Sequence, residues 1–181
     1  LVTGVQTCAL PISEQTPPYP ATVGYLGKPT AVTRAATLAA VPWILVHGAA
    51  EYAAIGDPAE PGTMLVQIGG AVGTPGVLEV PTGTTLADIV AAAGGTAKSA
   101  TLKALLVGGP AGGFIPAQLL PATPYSSAGL VTVGARIGSG AVLALDSSVE
   151  IPELAAMLTR WRSEEHTSEL QSLAYLVCRL L

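Results

Sequence analysis

At 181 residues the chain is long enough for one domain or a small pair. With 8 Lys+Arg against 12 Asp+Glu it carries a formal charge of −4, so it lacks the basic surface by which nucleic-acid binders neutralise phosphates. Apolar residues make up 50% of the chain and charged ones only 11%, enough for an Ala-rich core with few aromatics. The 21 Gly and 15 Pro stay below the share that marks a disordered, low-complexity chain. No charged residue lies between Lys103 and Arg136, yet Gly and Pro interrupt that stretch before it reaches the apolar run of roughly 18 residues that a membrane helix needs.

Both ends resemble translated sequencing-library adapter. Back-translating Arg162–Ser172 with adapter codons gives a strand whose reverse complement, in another frame, encodes Thr3–Ile12. One chain bearing both strands of one DNA is hard to explain by selection. Residues 1–12 and 162–181 are therefore set aside before the fold is read. Both cysteines, Cys8 and Cys178, go with them, as does His166. The remaining Ser13–Trp161 has no thiolate nucleophile, no disulfide and no cysteine-ligated metal or cluster, and His47 is its one histidine.

Ser13 to Pro29 reads as a Pro-, Gly- and Tyr-containing connector, with Pro17-Pro18-Tyr19-Pro20 extended or polyproline-like. Pro42 is placed at the start of a helix, with Trp43, Val46, His47 and Ala50 at helical spacing, and Gly56-Asp57-Pro58 is expected to stop it. Met64–Gly69 and Val77–Val80 read as strands around a Thr74-Pro75-Gly76 turn. Thr85-Leu86-Ala87-Asp88 is a capping-box variant opening a helix whose Leu86, Ile89, Val90 and Ala93 share one face before Gly94-Gly95. Leu86, Ile89 and Val90 are expected to pack on Leu65, Val77 and Leu105. Leu102–Val107 and Ala141–Leu145 are further strands. The order strand, strand, helix, strand, late strand is that of an α+β, ubiquitin-like β-grasp roll. Ile151–Trp161 is a helix with Pro152 in its first turn and Leu154, Met157, Leu158 and Trp161 on one face.

No motif carries strong chemistry. Gly108-Gly109-Pro110-Ala111-Gly112-Gly113 has neither the Lys-Ser/Thr ending of a P-loop nor a dinucleotide spacing, and reads as a turn. Gly138-Ser139-Gly140 lacks the Gly-x-Ser-x-Gly of a nucleophile elbow and reads as a tight turn into a strand. His47 has no convergent partner and reads as structural. Glu79, Asp88, Asp146, Glu150 and Glu153 sit at element ends, where acidic residues are solvated or cap helices. From chemistry alone the body is a binding or packing domain.

Several segments resemble one family. Gly24-Tyr25-Leu26-Gly27-Lys28-Pro29-Thr30 followed by Thr37–Leu45, and Pro61–Gly70 running into Gly76–Leu86, are similar to the NADH-binding flavoprotein (F-type) subunit of bacterial NADH:quinone oxidoreductase. Gly108–Ala117 with Leu119-Leu120 is closer to relatives in NAD-linked hydrogenases and formate dehydrogenases. Ala128-Gly129 and Gly138–Asp146 continue the likeness. The resemblance implies a soluble-ligand-binding β-grasp (SLBB) domain between an NADH/FMN-binding domain and a helical iron–sulfur domain. The implied division is 13–61 connector and helix from the flavoprotein core, 62–146 SLBB domain, and 147–161 the start of the helical domain.

The departures limit what carries over. The family's flavin domain would precede Ser13, and its cluster-ligating cysteines would follow Trp161. An Asn-Asn pair that contacts flavin is matched here by Thr33 and Arg34, a following Glu by Ala36, and a later cysteine falls at Ser147-Ser148. Thr33 and Arg34 are the only cofactor-binding positions the resemblance offers, and no catalytic or metal residue is assigned. The expectation is an internal fragment of an electron-input subunit, acting as a scaffold. FMN, NAD and a 4Fe-4S cluster are implied for the parent, and none is expected in this inactive piece. The implied partners are other subunits of an NADH dehydrogenase, hydrogenase or formate dehydrogenase complex, with no nucleic acid and no membrane insertion. The implied location is cytoplasmic, peripheral to the membrane in a respiratory complex. The alternative is a stand-alone SLBB module for a small ligand or protein partner. A polysaccharide-export module is disfavoured by Lys28–Thr30 and Thr37–Leu45, which such a module does not need.

Overall fold

The computed structural model describes residues 18–97 and 100–165. Of the ends set aside above, 1–12 and 166–181 lie outside the described residues, and 162–165 lie within them. The chain divides into two compact units between Ala49 and Ala50.

In the first unit, a loop is tied by its own backbone. Gly24 N–H donates to Lys28 C=O at 2.8 Å and Thr30 N–H to Pro20 C=O at 2.8 Å. The Thr30 hydroxyl accepts from Tyr25 N–H and donates to Lys28 C=O, both at 2.9 Å. Inside the loop Leu26 is held at φ 53°, a left-handed conformation that costs an L-residue about 1–2 kcal/mol. A helix, α1, follows over Ala35–His47. Here the sequence expectation needs correction. Pro42 does not start the helix but lies inside it, where it lacks the N–H that would bond to Leu38 C=O. Nor does the helix run on towards Gly56. Gly48, at φ 96°, ends it by donating to Ile44 C=O at 2.8 Å, and a separate helix, α2, covers Ala49–Ala53. No residue of α1 is buried.

The second unit is built on a five-stranded sheet. A two-residue ladder, β1 (Gly56–Asp57) with β2 (Glu60–Pro61), leads into it. The Thr82 hydroxyl donates to Glu60 C=O and accepts from Asp57 N–H at 2.9 Å, tying that ladder to the sheet. The sheet strands are β3 (Thr63–Gly70), β4 (Gly76–Pro81), β5 (Leu102–Val107), β6 (Gly113–Pro116) and β7 (Ala141–Asp146), in the order β4-β3-β7-β5-β6. The first strand and the last, β3 and β7, run parallel at the centre, and every other pair is antiparallel. With the helix α3 (Leu86–Ala92) crossing one face, this is the β-grasp arrangement.

Thr85 caps α3 as the sequence suggests. Its hydroxyl accepts from Asp88 N–H at 3.1 Å and donates to the Asp88 carboxylate at 2.7 Å. Leu86 and Ile89 are fully buried and Val90 nearly so, in one cluster with Val66, Ile68, Val80 and Leu105. The expected contacts with Leu65 and Val77 do not form: these residues are 61% and 62% exposed. Side chains alternate along a strand, so the face that packs on α3 takes Val66 and Ile68 from β3 and Val80 from β4. Leu65 and Val77 therefore point to the other face.

That second face is only partly covered. The helix α5 (Ile151–Glu165) lays Leu154 and Leu158 on Leu106 and Leu145, joined by Phe114, Leu143 and Met157. Pro152 stands in its first turn, and Trp161 is half-buried on the apolar side. The helix continues to Glu165. With α3 and α5 on opposite faces, β5 and β7 are covered on both sides. This is why Ala104–Val107, after Lys103, reads as an apolar run and not as an alternation. Like the β1–β2 ladder and α2, the strand β6, a 3-10 turn at Ala117–Ala122 and a short helix, α4 (Ser127–Thr132), go beyond the sequence expectation.

Candidate functional site

The outer sheet face of the second unit carries a concavity. It is a groove of about 420 Å³, floored by Gln67, Val77, Ala141 and Leu143 and walled on one side by Leu158 of α5. Pro75-Gly76 and Gly109-Pro110, from two strand-connecting loops, also line it. The volume is that of a small-molecule pocket. Gln67 is its one polar side chain, and no charged residue lines it. The groove follows from strand parity. The odd positions of β3 and β4 face away from α3, and α5 covers only part of the face they point to. Its apolar lining can bind an uncharged apolar group by burial, and the Gln67 amide can donate and accept hydrogen bonds. Of the motifs weighed from sequence, only the glycine-rich turn reaches it, through Gly109 and Pro110; Thr33, Arg34, His47 and the candidate acidic residues do not line it.

The loop ends beside the groove are packed backbone to backbone. Gly108 and Gly109 both have positive φ, and a Cβ on Gly108 would sit 2.5 Å from Arg136 C=O. A Cβ on Gly138 would lie 2.4 Å from Gly108 C=O. The two glycine-rich segments read as turns are turns, pressed together too closely for side chains.

The candidate acidic residues do not converge. Glu79 accepts from the Thr63 hydroxyl at 2.6 Å. Asp88 completes the α3 cap. Asp146 accepts from the Ser148 hydroxyl at 2.5 Å and from Ser148 N–H at 2.9 Å. These two bonds, the hydroxyl's first, hold its carboxyl below the usual carboxylate range. Glu150 lies 3.8 Å from Lys103, whose ammonium also donates to Val149 C=O at 2.7 Å. Glu153 sits in the first turn of α5, where a negative charge suits the helix dipole. Each is a cap, a turn or a surface contact. His47 behaves as a structural residue: its ring stacks on Trp43 at 4.3 Å, and its Nδ1 lies 3.0 Å from Trp43 C=O.

Thr33 and Arg34 are exposed on the approach to α1, with Arg34 at the helix N-cap and its side chain making no capping bond. Neither residue lines the groove on the outer sheet face. A 4Fe-4S cluster is held by thiolates. Cys8 and Cys178 both lie outside the described residues, which contain no group of three His, Cys, Asp or Glu able to hold a metal. With no thiolate among them, the described residues do not fit a cluster. Sequence reading also missed Tyr125. It is fully buried, its hydroxyl has no partner among the described residues, and burial pushes its pKa up. It sits in the core cluster, not in the groove.

Residues 65–116 match the SLBB domain. They span β3 to β6, which includes α3 and part of the groove floor. Homology extends well beyond that domain. Over 150 residues the chain is 34% identical to the F-type subunit of NADH-quinone oxidoreductase from Buchnera aphidicola subsp. Baizongia pistaciae, covering 82% of this chain and 34% of that protein. The F-type subunit from Escherichia coli K12 gives 34% identity with the same two coverages. The second F-type subunit of Rhizobium meliloti gives 33% over 151 residues, covering 82% of this chain and 35% of that one. Among solved structures, an NAD+-reducing NiFe hydrogenase in its air-oxidized state superposes with a TM-score of 0.57 at 38% identity. That match covers 74% of this chain and 22% of the hydrogenase chain. The SLBB domain thus lies in a chain homologous to F-type subunits over most of its length, while spanning about a third of theirs. Among the described residues, no helix is long and apolar enough to cross a membrane.

Proposed function

We propose that this chain is an internal section of an NADH-oxidising electron-input subunit and that its SLBB domain acts there as a scaffold. The observation that carries this reading is the reach of the homology. It covers 82% of the chain, well past the SLBB domain itself, so it takes in flanking segments that a free-standing module does not need. On this reading NADH oxidation, the flavin and the cluster belong to other regions of the parent, and the described residues supply no thiolate for a cluster. The apolar helix α1, which has no buried residue, and the open part of the sheet face suit a piece that packs against neighbouring domains. The partners are subunits of an NADH dehydrogenase, hydrogenase or formate dehydrogenase complex, on the cytoplasmic side and peripheral to the membrane. The end segments 1–12 and 162–181 are adapter-derived on this reading.

A second reading, a stand-alone SLBB module with a small apolar ligand, is favoured by the groove beside α5. Source DNA amplified across Ile12 and Arg162 separates the two. A flavin-domain coding sequence upstream and Cys-x-x-Cys codons downstream are expected. Stop codons close to both points would overturn the fragment reading, and an uninterrupted gene containing both ends would overturn the adapter assignment. A biochemical check is to incubate the purified chain with FMN, iron and sulfide and assay NADH–ferricyanide turnover. No turnover and no stoichiometric flavin are expected, and turnover with bound flavin would refute the scaffold role.

A further inference from the structure

We draw no further inference here: the strongest candidate, the uncharged groove on the outer sheet face between α5 and the β3–β4 hairpin, belongs to the site already described, and nothing in the structure shows what covers it.

Discussion

The alternation of the β3 and β4 side chains can be tested with two leucines. Leu86→Ala removes three carbons from a side chain that is 0% exposed, in the cluster shared by α3, β3, β5 and β7. At about 0.8 kcal/mol per buried carbon the transfer loss is roughly 2.4 kcal/mol, and the cavity left behind raises it to about 3–4 kcal/mol. Leu65→Ala removes the same three carbons from a side chain that is 61% exposed, so its cost should stay under about 1 kcal/mol. The pair differs in burial and not in chemistry. Urea unfolding of the whole chain, followed by circular dichroism, should show a much lower midpoint for Leu86→Ala with an unchanged slope. Its thermal midpoint should fall by roughly 8–15 °C, and that of Leu65→Ala by no more than a few degrees. Equal losses in the two variants, or a larger loss for Leu65→Ala, would show that β3 presents its odd positions to the core and would sink the register described above.

Thr85→Ala should cost about 1 kcal/mol by removing the α3 cap, and Thr85→Ser should recover most of it in the same urea assay. Gly108→Ala should lose more than about 1 kcal/mol, because the backbone sits at φ 96° and the new methyl would press on Arg136 C=O; wild-type stability would contradict the close packing of the two turns. An NMR titration should find the Asp146 carboxyl ionising below the usual carboxylate range, and Ser148→Ala should move it up towards that range; identical midpoints would remove the hydroxyl's role. Because the folded-state pKa is depressed, the contribution of this group to stability is present above the unfolded-state pKa. It fades as pH falls through the folded value.

The α3 cap and face are the most legible part of the sequence, because there every level agrees. Thr85 and Asp88 supply the cap, Leu86, Ile89 and Val90 the stripe, and Gly94 the stop, and all lie within one local segment. The hairpin before it is readable as two strands and a turn, but its facing is not. Met64, Leu65 and Val66 form a continuous apolar run, so an apolar count alone cannot say which parity is buried. The polar marker is Gln67, whose neighbours Val66 and Ile68 are the buried pair. The elements that local patterns do not reveal are short and carry mixed signals. The strand β6 is only Gly113–Pro116 and exists because Ile115 pairs with Leu105. The helix α4 contains Gly129, which serves close packing: a Cβ there would stand 2.5 Å from Pro124. At Pro42 the local rule that proline opens a helix points to the wrong place, since α1 begins seven residues earlier, at Ala35. The groove is beyond local reading for a different reason. Its floor comes from β3, β4 and β7, and its wall from α5. The residues lining it are ordinary apolar ones, apart from Gln67. Only the parity of three strands, combined with how far α5 reaches across them, creates the concavity. A concavity of this kind leaves no motif, whereas a cluster or nucleotide site needs particular residue types at particular places and can be judged from sequence.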